Sequence, residues 1–202
     1  MIGYEQILLS SIGGSAMTLF INGFIKSYNR TQKLKRTSKI FIQFIDEIII
    51  KYLNKNIQGY IEILNMETDE EYFQARTVTL SPMLNKNIFD FFEKEDLIKI
   101  SSEFKDKSIV DIYHAFYEID FLQENSHWNI MNDFHSKLNK HYDKHKKENE
   151  SLFDHIIWCQ YYQRSKLELR QELEMQKLHC EELIKDFEII KREILQSDFL
   201  ED

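Results

Sequence analysis

The chain has 202 residues, which is enough for one domain of ordinary size and an anchor but too few for two large domains. It holds one proline and five glycines, and with abundant lysine, glutamate, isoleucine and leucine this favours long helices over a turn-rich sheet. The formal net charge of −8 excludes electrostatic attraction to nucleic acid as a basis for function. The composition therefore predicts an all-α protein with no nucleic-acid partner.

The first element is an uncharged run of nineteen residues from Ile7 to Ile25. At the helical rise such a run reaches about 28 Å, close to the roughly 30 Å hydrocarbon core of a bilayer. A cleaved signal peptide would need a basic start and a shorter apolar core, and a buried core helix would show a polar face. We expect one transmembrane helix at 7–25, preceded by a short segment at 1–6.

Six cations and no acid follow this run in residues 26–39, a segment that we name the basic collar. By the positive-inside rule the collar faces the cytoplasm, so residues 1–6 are expected outside and residues 40–202 are expected to form a cytoplasmic helical domain. We expect a single-pass protein of the bacterial inner membrane. The collar side chains that should contact lipid headgroups are Lys26, Arg30, Lys33, Lys35, Arg36 and Lys39.

Small residues recur in the predicted span at a spacing that lets two helix backbones approach closely. They predict self-association in the membrane, although glycine and serine are also common in transmembrane helices of other kinds. The residues concerned are Ser10, Ser11, Gly13, Gly14 and Ser15. An alternative is a pore, in which several copies turn polar residues toward a shared lumen: Ser10, Ser11, Ser15, Thr18 and Asn22.

The predicted helical domain begins with an amphipathic helix over 40–64, where isoleucines recur at helical spacing. Its isoleucine run at 48–50 also fits a strand. Residues 65–82 include the only proline and several threonines, which indicates a loop or a short extended segment. Three helices should follow, over 87–104, 106–125 and 127–147. In the second of these, apolar residues at helical spacing share one face: Ile109, Ile112, Phe116, Ile119 and Leu122.

The last predicted element is a helix over 151–196, a stretch without glycine or proline. Apolar residues follow one another there at intervals of four and three, with Gln176 as the one polar member. This approximates a coiled-coil seam and predicts packing against another long helix, of the same chain or of a partner subunit. The seam consists of Leu169, Leu173, Cys180, Leu183, Phe187, Ile190 and Ile194.

Residues that could carry chemistry are few, and no phosphate-binding, dinucleotide-binding or nucleophile-elbow motif is present. His141 and His145 share a helix face, but their lysine-rich surroundings indicate a solvated helix end rather than a metal site. His114 and Glu118 also share a face, and they fit either an acid-base pair or an ordinary helix surface. We therefore expect no catalytic residue, no cofactor and no metal.

The two cysteines, Cys159 and Cys180, lie in the predicted last helix. A continuous helix would hold them roughly 30 Å apart, too far for a disulfide. The absence of a cysteine framework is typical of a reducing compartment. This agrees with the cytoplasmic domain that the basic collar predicts.

A short extracytoplasmic N-terminus, one span, a basic collar and an isoleucine- and lysine-rich helical body resemble the single-span anchored helical proteins of bacterial phage-defence and abortive-infection systems. The resemblance is one of layout. It implies a membrane-linked effector or accessory role, and it carries over no functional residue.

The sequence thus favours a membrane-anchored interaction or effector protein that acts by self-association or by assembly with a protein partner. The pore-forming effector is one alternative. A membrane-tethered hydrolase using His114 and Glu118 is the other.

Overall fold

A computed structural model describes residues 25–74, 92–146, 152–197 and Leu200 of the chain. This part is 88% helix and contains no strand, which confirms the predicted all-α class. The low glycine and proline content explains it, because few residues interrupt the backbone hydrogen-bond ladder of a helix.

The first half of the described chain is one continuous helical rod. It consists of α1 (residues 25–44), a π-helical segment (Ile45–Ile50) and α2 (Lys51–Leu64). Ile45, Ile49 and Leu53 are fully buried at intervals of four residues, and this helical period decides against a strand at 48–50. The strand alternative is therefore wrong.

A short helix, α3 (Asp69–Gln74), lies where the sequence predicted a loop or an extended segment. The Thr68 hydroxyl accepts from the Glu71 backbone N–H at 3.2 Å, and the Glu71 carboxylate accepts from the Thr68 N–H at 2.9 Å. This reciprocal pair is a capping box, which satisfies donors at a helix start. The loop prediction was wrong for these residues because the Thr-x-x-Glu signature was overlooked.

The remaining helices fall close to their predicted places. They are α4 (Lys94–Ser101), α5 (Ile109–Glu124), α6 (His127–Lys146) and α7 (Leu152–Leu195). The two cysteines lie on α7, Cys159 exposed and Cys180 buried, and they form no disulfide with each other.

Helix α7 is the centre of the architecture and packs on α2, α6 and α5. It runs antiparallel to α2, since Lys191 pairs with Asp46 just before α2 and Lys166 pairs with Asp69 just after it, each at 2.8 Å. The helices α1–α2, α5, α6 and α7 thus enclose one apolar core.

All seven seam residues of α7 are buried in this core. The seam faces helices of the same chain, with α2 as its most extensive neighbour. Phe187 contacts Phe116 of α5 edge to face at 5.3 Å between ring centroids. The sequence left open whether the seam packs against a helix of the same chain or of a partner subunit. The structure shows packing against helices of the same chain.

Within the described residues, no helix is both long enough and apolar enough to cross a membrane. The predicted span at 7–25 lies outside them, apart from Ile25. The same holds for the small residues proposed for self-association: Ser10, Ser11, Gly13, Gly14 and Ser15. The transmembrane helix therefore stays a prediction.

Candidate functional site

Helix α5 carries large apolar side chains on the face that points away from the core. Val110, Tyr117 and Phe121 are 70%, 68% and 42% exposed. Together with the exposed His114 they follow a four-three-four spacing, which places all four side chains along one line of the helix. We name these four residues the α5 stripe.

Helix α7 continues this apolar area beside the α5 stripe. Met175 and Leu178 are 59% and 57% exposed, and both line a groove of about 440 Å³ with His114 of α5. Aromatic residues and methionine are enriched at the centres of protein interfaces. We name the α5 stripe with Met175 and Leu178 the α5–α7 surface.

A histidine-glutamate cluster lies in the groove between the two helices. Glu118 Oε1 lies 3.4 Å from His114 Nε2, and Glu118 Oε2 lies 3.0 Å from His179 Nε2. The His179 ring also stacks on Phe121, with 6.1 Å between centroids. One carboxylate therefore contacts imidazoles from both helices and links them beneath the exposed side chains.

The start of α5 is fixed by local hydrogen bonds and by one contact to α7. The Ser108 backbone N–H and hydroxyl both donate to Asp111, at 2.7 and 2.6 Å, which completes a capping box. These bonds from Ser108 lower the pKa of the Asp111 carboxyl. Lys107 pairs with Asp186 of α7 at 2.7 Å. The α5–α7 surface thus rests on a rigid pair of helices.

The two residues of the sequence-predicted acid-base pair are in contact in the structure. His114 and Glu118 lie 3.4 Å apart, and the described lining of their groove holds no serine, threonine, cysteine or tyrosine. A hydroxyl or thiol nucleophile beside the pair is thus absent from that lining. The second imidazole, His179, comes from a helix some sixty residues away in sequence, so spacing alone could not reveal it.

The structure describes the side chain of only one member of the histidine pair at the end of α6. The His141 ring stacks on Tyr161 with 3.7 Å between centroids and lies 5.9 Å from Trp158. The side chain of His145 lies outside the described residues. Among the side chains that are described, no group of three or more histidine, cysteine, aspartate and glutamate residues has a geometry that could hold a metal ion.

A larger groove of about 660 Å³ lies between α6 and α7. Two of its ion pairs form within single helices, Lys137 with Asp133 at 2.6 Å and Arg164 with Glu168 at 2.9 Å. Such i, i+4 pairs stabilise a solvated helix face. None of the large apolar side chains in the described lining of this groove is exposed, whereas Met175 and Leu178 of the α5–α7 surface are.

The basic collar is helical and lies at the start of α1. Lys26, Arg30, Arg36 and Lys39 are exposed, and Lys35 is half-buried. Lys33 is bound within the chain, because its ammonium lies 2.5 Å from Glu93 and 3.0 Å from Asp96. Most of the collar is therefore open to an external partner such as anionic headgroups.

The sequence analysis missed the α5–α7 surface as a whole. Its interpretation of α5 used only the residues that turn inward, such as Ile112 and Phe116. The signal was present in the stripe spacing from Val110 to Phe121, an apolar line opposite the core face. Met175 and Leu178 join that line only through tertiary packing.

Comparison of the chain with protein-family models, with curated proteins and with solved structures gave no match.

Proposed function

We propose that this chain is a membrane-anchored helical interaction protein, which assembles with a protein partner through the α5–α7 surface at the bacterial inner membrane. The observation that carries the proposal is the α5 stripe, an exposed aromatic line on a rigid, capped helix. Burying one large apolar side chain contributes about 1.5 to 3 kcal/mol. The exposed side chains of this surface could therefore supply much of the affinity of a protein interface.

The membrane part of the proposal rests on the sequence. The uncharged run at 7–25 has the length of a span, and five exposed cations of the basic collar follow it on α1. In this arrangement the anchor holds the helical domain at the membrane. The small residues of the run, Gly13 and Gly14 among them, would add self-association in the bilayer.

The interaction role is preferred to the two alternatives for physical reasons. A hydrolase using His114 and Glu118 would lack a hydroxyl or thiol nucleophile in its described groove lining. A pore depends on residues 10–22, and nothing in the described part adds support for a lumen. The layout shared with anchored phage-defence proteins makes phage defence the cellular role that we propose.

The decisive experiment is site-specific photo-crosslinking in cells that express the full chain. Tyr117 is replaced by a photoreactive phenylalanine analogue, and the membrane fraction is separated after irradiation. We expect the chain in the membrane fraction and a defined crosslinked product of higher mass. Ile156 is the matched control, because it is also exposed, at 49%, but lies near the far end of α7.

Two results would overturn the proposal. A full-length chain recovered without detergent in the soluble fraction would remove the anchor. Crosslinking at position 117 that equals crosslinking at position 156 would remove the interface. The cellular role is tested separately, by comparing phage plating on cells that express the natural chain with plating on cells that express the Tyr117→Ala variant.

A further inference from the structure

We propose that the partner which binds the α5–α7 surface is an amphipathic helix with lysine or arginine residues beside its apolar stripe. This inference rests on the proposed function and specifies its partner. Three features of the surface support it: the shape of the groove, the spacing of the α5 stripe and the charge of the groove lining.

The shape of the surface fits a helix. Helices α5 and α7 run antiparallel here, since Lys107 pairs with Asp186 near the start of α5 and Glu118 contacts His179 further along. The groove between them is lined by Met175 and Leu178 on the α7 side and by His114 on the α5 side, and the other residues of the α5 stripe continue along α5 from His114. A third helix can lie in such a groove, as in other helix-in-groove complexes.

The spacing of the stripe sets the length of the partner. Val110, His114, Tyr117 and Phe121 alternate in steps of four and three, the pattern by which one helix interlocks with another. From the first to the last of them α5 rises about 16 Å, or roughly three turns. A partner helix of three to four turns would therefore contact the whole stripe.

The charge of the groove sets the chemistry of the partner. Its lining contains three carboxylates, those of Glu118, Glu182 and Asp186, and no lysine or arginine. Two of these carboxylates have partners within the chain, Asp186 with Lys107 and Glu118 with the two imidazoles of the groove, and the third, that of Glu182, is exposed. Electrostatic complementarity favours cations on an incoming helix and disfavours acids.

The same charges argue against two other occupants. A second copy docked face to face would bring Glu118 and Glu182 of each copy near those of the other, and like charges in such an interface are unfavourable. A membrane surface rich in anionic lipids would repel the three carboxylates of the groove. Peptide binding, dimer formation and vesicle binding distinguish both occupants from a basic helix.

The test measures binding of synthetic peptides to the full chain in detergent micelles. The first peptide has leucines in four-three spacing over about four turns, with lysine and alanine elsewhere. The second replaces each lysine with glutamate, and the third keeps the lysines but replaces each leucine with serine. We expect the first peptide to bind at least about tenfold more tightly than either of the others.

Variants locate the binding on the surface. Tyr117→Ala should weaken binding of the first peptide about tenfold. The double variant Glu118→Gln and Glu182→Gln should reduce the preference for lysine over glutamate several-fold. The matched controls are Ile156→Ala for the aromatic change and Glu62→Gln for the carboxylate change, since both residues are exposed and lie outside the groove lining. Unchanged circular dichroism of each variant verifies the fold.

The outcomes separate the two proposals. Equal binding of the lysine and glutamate peptides, or equal loss in the control variants, overturns the basic-helix inference. The basic-helix inference is also overturned if the chain forms a dimer that Tyr117→Ala breaks. It is likewise overturned if α5 binds anionic vesicles instead of the peptide. If crosslinking at position 117 still captures a partner in those cases, the interaction function stands and only its partner chemistry is wrong.

Discussion

Gly59 shows how closely α2 approaches the start of α6. A methyl group at this position would lie 2.5 Å from the Nδ1 and Cε1 atoms of His127. The imidazole cannot swing away, because His127 is only 1% exposed and lies edge to face against Tyr60. Glycine is therefore required here for space, although alanine is the better helix former.

We predict that Gly59→Ala destabilises the chain. Alanine gains about 1 kcal/mol in a helix interior, but overpacking a filled core costs typically 1–3 kcal/mol, so the net loss should be on the order of 1 kcal/mol. Urea unfolding followed by circular dichroism measures it. Gln58→Ala, at the exposed neighbouring position, is the control, and a Gly59→Ala variant more stable than this control would contradict the packing argument.

The buried thiol of Cys180 is a second case in which a residue is defined by its surroundings. It is fully buried in the α7 seam, and this burial raises the pKa of its thiol to about 12. A thiolate is the reactive form of cysteine. Cys180 is thus a packing residue of the core, and its place in a heptad-like pattern was a better guide to its role than its chemistry.

Helix α5 contributes to both the core and the candidate interface, because one of its faces packs inward and the opposite face is exposed. Ile112, Phe116 and Ile119 are buried, while the α5 stripe occupies the opposite face. Such a helix can be held in place only if its ends and its inner face are fixed. The capping box at Ser108 and Asp111 supplies the fixed start.

We predict that Asp111→Asn destabilises α5 in a pH-dependent way. Hydrogen bonds from Ser108 lower the pKa of Asp111 in the folded chain, so their stabilisation is present above the ordinary aspartate pKa and is lost as the pH falls through the folded value. The loss on substitution should be on the order of 1 kcal/mol at pH 7 and smaller near pH 3. Urea unfolding at both pH values tests this.

The control for this prediction is Glu103→Gln, an exposed acid just before α5. It should change the free energy of unfolding little at either pH. If Asp111→Asn lowers the free energy of unfolding equally at pH 7 and pH 3, the charge of the Asp111 carboxylate does not contribute to stability.

The charge of the whole molecule is unevenly distributed along the chain. The basic collar holds six cations without an acid, and the chain as a whole is nevertheless acidic at −8. In the proposed arrangement the collar lies at the headgroups and the acidic domain stands off them. Lys33 is the collar cation that bridges the two regions, through its ion pairs with Glu93 and Asp96.

We predict that the collar sets the orientation of the anchor. The collar residues to be replaced by glutamine are Lys26, Arg30, Lys35, Arg36 and Lys39, with Lys33 kept for its ion pairs. By the positive-inside rule the variant should lose its preference for a cytoplasmic C-terminus. A C-terminal alkaline phosphatase fusion, active only outside the cytoplasm, should be inactive on the natural chain and active on the variant. An active fusion on the natural chain would contradict the proposed topology.

The sequence by itself determined the helical class, the long last helix and its buried seam, because helix propensity and apolar period are local properties. It also outlined the inner face of α5. It did not give α3, whose capping box was overlooked, nor the neighbours of the seam. Only the tertiary structure brought His179, Met175 and Leu178 beside α5 and set Gly59 against His127. Those contacts join residues far apart in the chain, and their partners are chosen by the packing of whole helices, which no local pattern encodes.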